Sequence, residues 1–480
     1  MNNHEPTLPD VQHWINGAEF REAGSETFES RNPLNDQCLA RIAKGTPATI
    51  DQAVEVAHEA FLSFRHTPVQ EKEKWLLKAA DCLNQNSDRL VQLLIDEIGS
   101  PLSKARKELA VATGILRASA GAARRVHGKT YPSETPGRFS YSMRQPLGVV
   151  AGMTPFNVPL IKAIKASAMP LATGNAVVLL PSEETAILSA EIGQIYQKAG
   201  LPDGAFNVVH GSGYEIGDSL TTHPLVKAVC FTGSHRVGKH VQKLCGEQGK
   251  RVLLELGGKN PVVILKDADL KKAIPGCVLG AFLFQGQICM SSSRIYVETE
   301  IAESFTEGFA AAAGRIQCGD LQDPKTMVGP IINERQRTRI KNHIEDALSK
   351  GARLLTGNEW NGNVLSPTVL ADVTPDMQIH YEETFGPVTT IYTVPDSEAA
   401  LQGANDSAFG LSGAVYTNQL DQAMEFANRM RAGMVHINGS TIQDEPHVPF
   451  GGVGQSGFGR EGADVAIDEL TEWKWVTIQP

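Results

Sequence analysis

The chain has 480 residues, of which 41% are hydrophobic, and its formal net charge is -10 at pH 7. A chain of this length exceeds what one hydrophobic core supports and predicts two or three domains. The charge is acidic, and no Lys/Arg run is longer than a pair such as Arg124-Arg125. The composition therefore argues against a nucleic-acid or anionic-membrane surface and favours a small-molecule partner.

The cysteines favour a reducing compartment. Seven of them are widely scattered with no C-x-x-C pair, which fits neither a disulfide framework nor a zinc site, so we expect no metal. The N-terminal stretch carries Asp10, Glu19 and Glu22 and lacks an apolar core, so no signal peptide is predicted. No apolar run approaches the roughly 20 residues that span a bilayer. We therefore expect a soluble, cytoplasmic protein.

The first quarter of the chain is predicted to be a helical scaffold that follows an extended arm. The arm, up to about Ser30, is polar and should hold one or two strands. The stretch 49–52 has the pattern of a capping box, and apolar residues recur after it at helical spacing. A second helix is expected at 70–86. Further helices are expected across 89–122, with an interruption at the Gly-Ser-Pro of 99–101.

Two stretches alternate with the period of a β-strand. One lies within 128–144, where Phe139, Tyr141 and Met143 alternate with polar residues, and the other is the terminal stretch 472–478. These segments are interpreted either as an oligomerisation sheet or as ordinary edge strands.

From Leu147 onward the chain alternates between short apolar runs and helical segments. This pattern predicts a parallel, doubly wound α/β sheet whose ligand lies at the carboxyl ends of the strands. The strands are expected at 148–152, 176–180, 206–210, 226–231 and 252–256.

Two glycine-bearing turns follow strands of this sheet and open helices. They are the turn at Gly211 and Gly213 and the turn from Gly233 to Gly238. Their backbone N–H groups could face a pyrophosphate, but neither is a strict G-x-G-x-x-G, and each could simply be a tight turn. Glu183 is either the carboxylate that binds a ribose or an acid at a helix start.

Past Gly257-Gly258 the alternation resumes and predicts a second α/β domain. Its strands are expected near Val262, Ile295, Leu354, Val388, Gly413 and Met434. The glycine pair should mark the hinge, which places any chemistry in the cleft between the two domains.

Cys289 is the candidate nucleophile of this cleft. It follows an apolar run and is flanked by small polar residues, with the serine run 291–293 offering donors that would favour a thiolate. The alternative is an inert, buried thiol. Asn157, between two prolines, could donate to an oxyanion or cap a turn. Glu255, between leucines, could be a general base with a raised pKa or an ion-paired acid.

These stretches together resemble the aldehyde dehydrogenase superfamily. The resemblance covers almost the whole chain and is loosest in the first forty residues. The family's motifs occur in order: P-F-N-x-P at 155–159, F-T-G-S-x-x-V-G at 231–238, L-E-L-G-G-K at 254–259, G-Q-x-C at 286–289, E-E-x-F-G-P at 382–387, P-F-G-G-V at 449–453 and S-G-F-G-R at 456–460.

The resemblance implies an aldehyde dehydrogenase-like fold with two doubly wound α/β domains and a small β oligomerisation element. The cofactor-binding domain would comprise 1–122 and 147–256, the catalytic domain 257–455, and the oligomerisation element 123–146 and 463–480. A homodimer or homotetramer is implied.

The resemblance also implies the mechanism. Cys289 would attack an aldehyde, and Asn157 with the Cys289 backbone N–H would hold the oxyanion. Hydride transfer to a nicotinamide would leave a thioester, and Glu255 would activate the water that releases the acid.

The same resemblance implies the cofactor contacts. The residues that line the cofactor would be Phe156, Glu183, Gly213, Gly233, Ser234, Val237, Gly238 and Leu256, with Glu383 and Phe385 at the nicotinamide ribose. The family commonly has Lys where this chain has Leu180, which removes a ribose contact. Glu183 favours NAD because a carboxylate repels a 2′-phosphate, and NADP stays the open alternative.

The segments 285–290 and 444–450 look like the branch that oxidises aromatic aldehydes such as benzaldehyde, vanillin or salicylaldehyde. Phe156, Phe284 and Phe450 would form an apolar, ring-shaped slot, or they are plain core residues. An aliphatic or semialdehyde substrate and a coenzyme A-acylating enzyme are the alternatives, although Glu255 argues against acylation. A binding or structural protein on the same scaffold is the remaining hypothesis.

Overall fold

The structure is a computed structural model that describes residues 8–479, apart from the side chain of Ala463. Residues 1–7 and 480, which belong to the predicted cofactor-binding and oligomerisation segments, lie outside the described residues. Within residues 8–479, none of the helices is long and apolar enough to cross a membrane.

The first part of the chain combines short strands with long helices. Its elements are β1 (Asp10–Val11), β2 (His13–Ile15), β3 (Ala18–Phe20), β4 (Thr27–Arg31), β5 (Cys38–Ala43), α1 (Pro47–Phe64), α2 (Val69–Gln85), α3 (Ser87–Ile98), α4 (Leu102–Ala122), β6 (Lys129–Tyr131) and β7 (Phe139–Pro146). The arm thus holds more strands than the one or two that we predicted.

The predicted position of the capping box, 49–52, is wrong, because the box lies three residues earlier, at 46–49. The hydroxyl of Thr46 accepts from the N–H of Thr49, whose own hydroxyl accepts from the N–H of Thr46. A threonine thus replaces the usual Glu or Gln at the third helical position, and Pro47 occupies the first turn. The predicted break at Gly99 is confirmed, because Gly99 ends α3 in the left-handed region at φ 63°.

The middle of the chain alternates strands with helices as predicted. Its elements are β8 (Val149–Thr154), α5 (Pro159–Thr173), β9 (Ala176–Pro181), α6 (Ala186–Ala199), β10 (Phe206–Val208), α7 (Gly213–Thr222), β11 (Val226–Thr232), α8 (His235–Glu247) and β12 (Arg251–Glu255).

The last part begins with a similar alternation. Its elements are β13 (Asn260–Ile264), α9 (Leu270–Phe282), β14 (Ser292–Glu298), α10 (Thr299–Ala313), α11 (Glu334–Ser349), β15 (Arg353–Thr356), β16 (Trp360–Asn361), β17 (Val364–Leu365), β18 (Thr368–Ala371), α12 (Gln378–Tyr381), β19 (Val388–Val394), α13 (Ser397–Asn405), β20 (Ser412–Tyr416), α14 (Leu420–Arg429), β21 (Met434–Ile437), β22 (Gly457–Phe458), α15 (Ala463–Leu470) and β23 (Thr471–Ile478).

Two large sheets organise these elements. The first has the order β22-β12-β11-β8-β9-β10-β2-β3, and its strands from β12 to β10 are parallel. The second has the order β15-β18-β19-β14-β13-β20-β21 and is parallel from β18 to β21. Every residue of β8 and β9 is buried, which is why these strands are continuous apolar runs with no alternation. The prediction of doubly wound α/β architecture is confirmed.

The two alternating segments pair with each other. Strand β23 runs antiparallel to β7, which runs antiparallel to β6. This three-stranded sheet exposes large apolar side chains: Phe139, Met143, Trp473, Trp475 and Ile478. Exposed apolar surface of this kind typically marks an interaction surface.

Candidate active site

The turn that leads to Cys289 has an unusual backbone. After α9 ends, Phe284 and Gln285 have φ angles of 50° and 47°, and Gly286 follows at 66°. A residue with a side chain in the left-handed region costs on the order of 1–3 kcal/mol and persists only where its surroundings hold it.

The two glutamines of the motif supply that support. The side chain of Gln285 donates to the carbonyl of Pro330 at 2.7 Å and accepts from the N–H of Gly329 at 2.9 Å. The side chain of Gln287 accepts from the N–H of Ile332 at 3.1 Å. Both glutamines therefore tie the turn to the segment 329–332.

Cys289 is half-buried beside the main hydrophobic cluster of the first sheet's helices. Its carbonyl accepts from the side-chain amide of Asn260 at 2.8 Å. Burial raises the pKa of the Cys289 thiol to about 12, and the nearby ammonium of Lys162 opposes this rise. The lowered thiol pKa expected from the serine run is therefore not found, because Ser291 and Ser292 are buried and their hydroxyls bond elsewhere.

Asn157 reaches this turn from the end of β8. Pro155 and Pro159 flank the loop, and Pro159 opens α5. The Asn157 side chain is buried, and its amide donates to the carbonyl of Gln287 at 2.8 Å. The amide that the sequence singled out is thus directed at the backbone two residues before Cys289.

Glu255 lies at the end of β12 and is also buried. Its Oε2 atom has no hydrogen-bond partner within residues 8–479. Gly451 packs against the carboxylate so closely that a Cβ there would lie 2.7 Å from Oε1. Burial raises the pKa of Glu255, and the ammonium of Lys162 opposes the rise. A buried carboxyl group with a raised pKa is suited to accept a proton near neutral pH.

The sequence interpretation missed a charged cluster next to these residues. Lys162 pairs with Glu461 at 2.7 Å, and Lys165 pairs with Asp444 at 2.8 Å and with Glu461 at 3.6 Å. Both lysine side chains are at most 5% exposed. The sequence does contain a signal for this cluster, because two lysines interrupt a largely apolar helix and buried charges need partners. Those partners lie about 280 and 300 residues away in the chain, so the sequence alone did not identify them.

The three predicted pocket aromatics lie near this cleft, but their surroundings are less apolar than we expected. The ring of Phe284 faces the ammonium of Lys104 at 4.0 Å, and the ring of Phe450 faces that of Lys165 at 4.2 Å. Phe156 meets Phe385 edge to face, with ring centroids 6.0 Å apart. Phe385 itself is held at φ 56°. Two of the three rings, Phe284 and Phe450, are thus buried and pack against an ammonium group.

The residues predicted to bind a cofactor lie along the carboxyl edge of the first sheet. Gly233 and Ser234 connect β11 to α8, and the Ser234 hydroxyl accepts from the N–H of Val237 at 3.4 Å. A Cβ on Gly238 would lie 2.3 Å from the side chain of Leu256, so a glycine there brings α8 close to the sheet. Gly213 opens α7 at the end of β10, and it is exposed.

This edge fits a dinucleotide. The N-terminus of α8 presents backbone N–H groups that suit a pyrophosphate, and Glu183 is exposed just past β9, where a ribose would lie. Leu180, the departure from the family pattern, is buried in β9. Glu383 is positioned from the second sheet, and its Oε1 accepts from the N–H of Gly258 at 3.0 Å.

The structure thus brings Asn157, Glu255 and Cys289 near one another, and Lys162 influences the pKa of both Glu255 and Cys289. The strand order places Glu183 and Gly213 farther along the edge, beyond β8. A thiol, an amide and a carboxyl group beside an edge that could hold a dinucleotide are the groups that a nicotinamide-dependent oxidoreductase would need.

A comparison with known protein families supports this class of enzyme. The profile of the aldehyde dehydrogenase family matches residues 20–476, and the chain belongs to this family. The family reaction is the NAD(P)-dependent oxidation of an aldehyde. The resemblance, the fold class, the enzyme class and the NAD(P) cofactor inferred from the sequence are confirmed.

Individual relatives span the full chain. A vanillin dehydrogenase of Pseudomonas fluorescens is 40% identical, with 98% of each chain covered. The structure of a salicylaldehyde dehydrogenase from Pseudomonas putida G7, complexed with salicylaldehyde, is 35% identical with a TM-score of 0.95, and 98% of each chain is covered. A betaine aldehyde dehydrogenase of Staphylococcus aureus in complex with NAD+ is 30% identical with a TM-score of 0.95, covering 98% of this chain and 95% of that one.

Proposed function

We propose that this enzyme oxidises an aromatic aldehyde to the carboxylic acid through a thiohemiacetal and a thioester on Cys289. The observation that carries the proposal is the convergence of two groups on the Cys289 turn. The Asn157 amide points at this turn, and Glu255 holds a buried carboxyl oxygen without a partner in the described chain.

The first step forms a bond between the Cys289 sulfur and the aldehyde carbon. The thiol proton leaves to solvent water, and the Lys162 ammonium favours the thiolate. The carbonyl oxygen becomes an oxyanion that accepts from the Asn157 amide and the Cys289 N–H. A preorganised donor of this kind contributes about 3 kcal/mol to the stability of the transition state.

NAD(P), when bound, supplies the hydride acceptor that turns the thiohemiacetal into a thioester. The chain's own part is to hold that acceptor in place: the α8 N-terminus and Glu183 would bind the phosphates and a ribose, with Glu383 and Phe385 near the nicotinamide.

Glu255 completes the reaction. Because its pKa is raised by burial, its carboxylate is basic enough to take a proton from water, which then attacks the thioester. The carbon–sulfur bond breaks, the acid leaves, and Cys289 is restored. Neither a metal nor a histidine base is required in this scheme.

Two facts support an aromatic substrate. Phe156, Phe284 and Phe450 belong to the same hydrophobic cluster as Cys289, and flat rings suit a flat substrate. The relatives include enzymes named for vanillin and salicylaldehyde. The test is an aldehyde panel monitored by NAD(P)H absorbance with NAD and NADP in parallel. Benzaldehyde should show kcat/KM at least about tenfold above acetaldehyde, and the reverse preference would reject the proposal.

An aldehyde that carries a carboxylate is the second candidate, although the ammonium groups of Lys162 and Lys165 beside Phe450 are already paired with Glu461 and Asp444. Succinic semialdehyde and butanal, which have four carbons each, separate the two ideas in the same panel. A preference for the semialdehyde over both butanal and benzaldehyde would support this second candidate. Product analysis with and without coenzyme A tests the acylating alternative. The proposed reaction gives the free acid in both cases and no coenzyme A thioester.

We also propose that the segments 123–146 and 463–480 form an oligomerisation element of a cytoplasmic homodimer or homotetramer, beside a cofactor-binding domain (1–122, 147–256) and a catalytic domain (257–455). The exposed apolar side chains of β7 and β23 support it. Replacing Phe139 and Ile478 by glutamate should weaken the assembly and so lower the molecular mass measured by analytical sedimentation. Replacing Leu420, equally apolar and 71% exposed elsewhere, should not.

A further inference from the structure

A buried ion pair on α4 lies between the Asn157 loop and the Cys289 turn. Lys104 and Glu108 are one helical turn apart, their charged groups are 2.5 Å apart, and their side chains are 5% and 1% exposed. Burial lowers the pKa of Lys104, and Glu108 opposes the shift. Burying two charges is costly, and apolar residues of similar volume usually stabilise a fold equally well. Packing alone therefore does not account for this pair.

The partners of Lys104 belong to both halves of the cleft. Its ammonium donates to the backbone carbonyl of Asn157 at 2.8 Å, on the side of the first sheet. It also lies 4.0 Å from the ring centroid of Phe284, which begins the left-handed turn that leads to Cys289. One buried cation thus holds the two segments that carry the amide and the thiol.

Glu108 fixes the other end of the Asn157 loop. Its Oε1 accepts from the N–H groups of Leu160 and Ile161 at 3.0 and 3.4 Å. These belong to the first turn of α5, whose N-cap Val158 has no side chain able to accept them. A carboxylate from another helix thus caps α5 and is favoured by its dipole.

We infer that Lys104 is a positioning residue that acts through Asn157, by holding its carbonyl and the Phe284 ring together so that the Asn157 amide meets the developing oxyanion. Glu108 serves it by capping α5 and by keeping the ammonium in place. The inference rests on the proposed role of Asn157 in the oxidation of aldehydes.

A double-mutant cycle tests the inference on the full-length enzyme, with kcat and KM for benzaldehyde and for NAD as readouts. Lys104→Met keeps the length of the side chain and removes its donor, so kcat should fall about tenfold or more while KM for NAD stays within about twofold. In an Asn157→Ala background the same change should lower kcat less than about twofold further, because the group it positions is gone.

Two further variants make the result specific. Glu108→Gln keeps an acceptor for the α5 N–H groups but removes the counter-charge of the Lys104 ammonium, so kcat should fall by about three- to fivefold, less than in Lys104→Met. The Glu108→Gln variant also keeps the test informative if Lys104→Met proves too unstable to assay. Lys107→Met, an exposed lysine on the same helix, is the matched control and should change nothing.

The outcomes separate the two claims. An Asn157→Ala variant with unchanged kcat would defeat the proposed mechanism itself. A large Asn157→Ala effect would leave that mechanism standing. The inference alone would then be overturned if the Lys104→Met loss were as large in the Asn157→Ala background as in the wild type, if Lys104→Met left kcat unchanged, or if Glu108→Gln left kcat unchanged.

Discussion

A Cβ on Gly286 would lie 2.1 Å from the carbonyl oxygen of Gly386, so the backbones of these two glycines touch. Gly286 belongs to the turn before Cys289, and Gly386 follows the segment that holds Glu383 and Phe385. The contact sets the distance between the thiol and the residues proposed to lie at the nicotinamide ribose. Because Gly286 also has a φ of 66°, two separate constraints require a glycine there.

Gly286→Ala should therefore abolish most activity and destabilise the fold. Gly249→Ala is the matched control, since its φ of 64° is nearly the same while nothing lies within 4 Å of its Cβ position. The control should lose about 1–2 kcal/mol from left-handed strain and keep its activity. Gly286→Ala should lose more stability and at least about tenfold in kcat. Thermal unfolding and steady-state rates measure both, and equal losses in the two variants would contradict the account.

Lys162 should control the reactivity of Cys289. Its ammonium is the group that opposes the rise in the thiol's pKa on burial, so Lys162→Met should raise that pKa further. The rate of Cys289 alkylation by iodoacetamide, followed by peptide mass spectrometry, should shift to higher pH.

Lys165→Met is the control on the same helix. Lys165 contributes to the pKa of Glu255 and is not among the main groups that shift the pKa of Cys289. Its alkylation profile should match that of the wild type. Identical profiles for Lys162→Met and the wild type would show that the cation does not act on the thiol.

A buried histidine pair should make stability depend on pH. His13 and His210 stack with ring centroids 5.8 Å apart, and burial lowers their pKa values to about 4 and about 3. Both are therefore neutral in the folded protein, whereas the unfolded chain takes up protons near pH 6.5. Their contribution to stability is present above pH 6.5 and is lost as the pH falls toward 4, by about 1.4 kcal/mol per pH unit for each group.

The double variant His13→Asn/His210→Leu should flatten this dependence. An asparagine at position 13 can still accept from the backbone N–H of residue 210, as the ring of His13 does. The ring nitrogens of His210 have no hydrogen-bond partner within residues 8–479, so leucine at position 210 removes no hydrogen bond of that side chain. Urea midpoints at pH 7 and pH 5 measure the effect, with exposed His66→Asn as the control. An unchanged difference between the two pH values in the double variant would refute the assignment.

The sequence predicted the two sheets well because their central strands, such as β8, β9, β13 and β20, are buried on both faces and form continuous apolar runs. It missed β18, a strand of only four residues between loops, and misplaced the cap of α1 because Thr49 itself completes the box. The left-handed turn at Phe284 and Gln285 was not predictable, since neither residue favours that region.

The sequence predicted which residues would carry the chemistry, because they occupy motif positions. It did not predict the charged and buried surroundings of those residues. Cys289, Asn157 and Glu255 were named from the sequence, and their roles stay predictions. The lysines that surround them act through tertiary contacts, such as that of Lys104 with the Asn157 loop, and no local pattern reveals such contacts. The thiol's raised pKa likewise depends on burial that only the assembled cleft provides.

The central claim is that Cys289 carries a thioester that Glu255 helps to hydrolyse. Glu255→Gln should slow hydrolysis by about 10²- to 10⁴-fold and let the intermediate accumulate. The direct measurement is mass spectrometry of this variant after it is mixed with benzaldehyde and NAD. The account predicts a benzoyl adduct on the peptide that contains Cys289, absent when Cys289 is also replaced by alanine. No adduct, or an adduct on another cysteine such as Cys318, would contradict it.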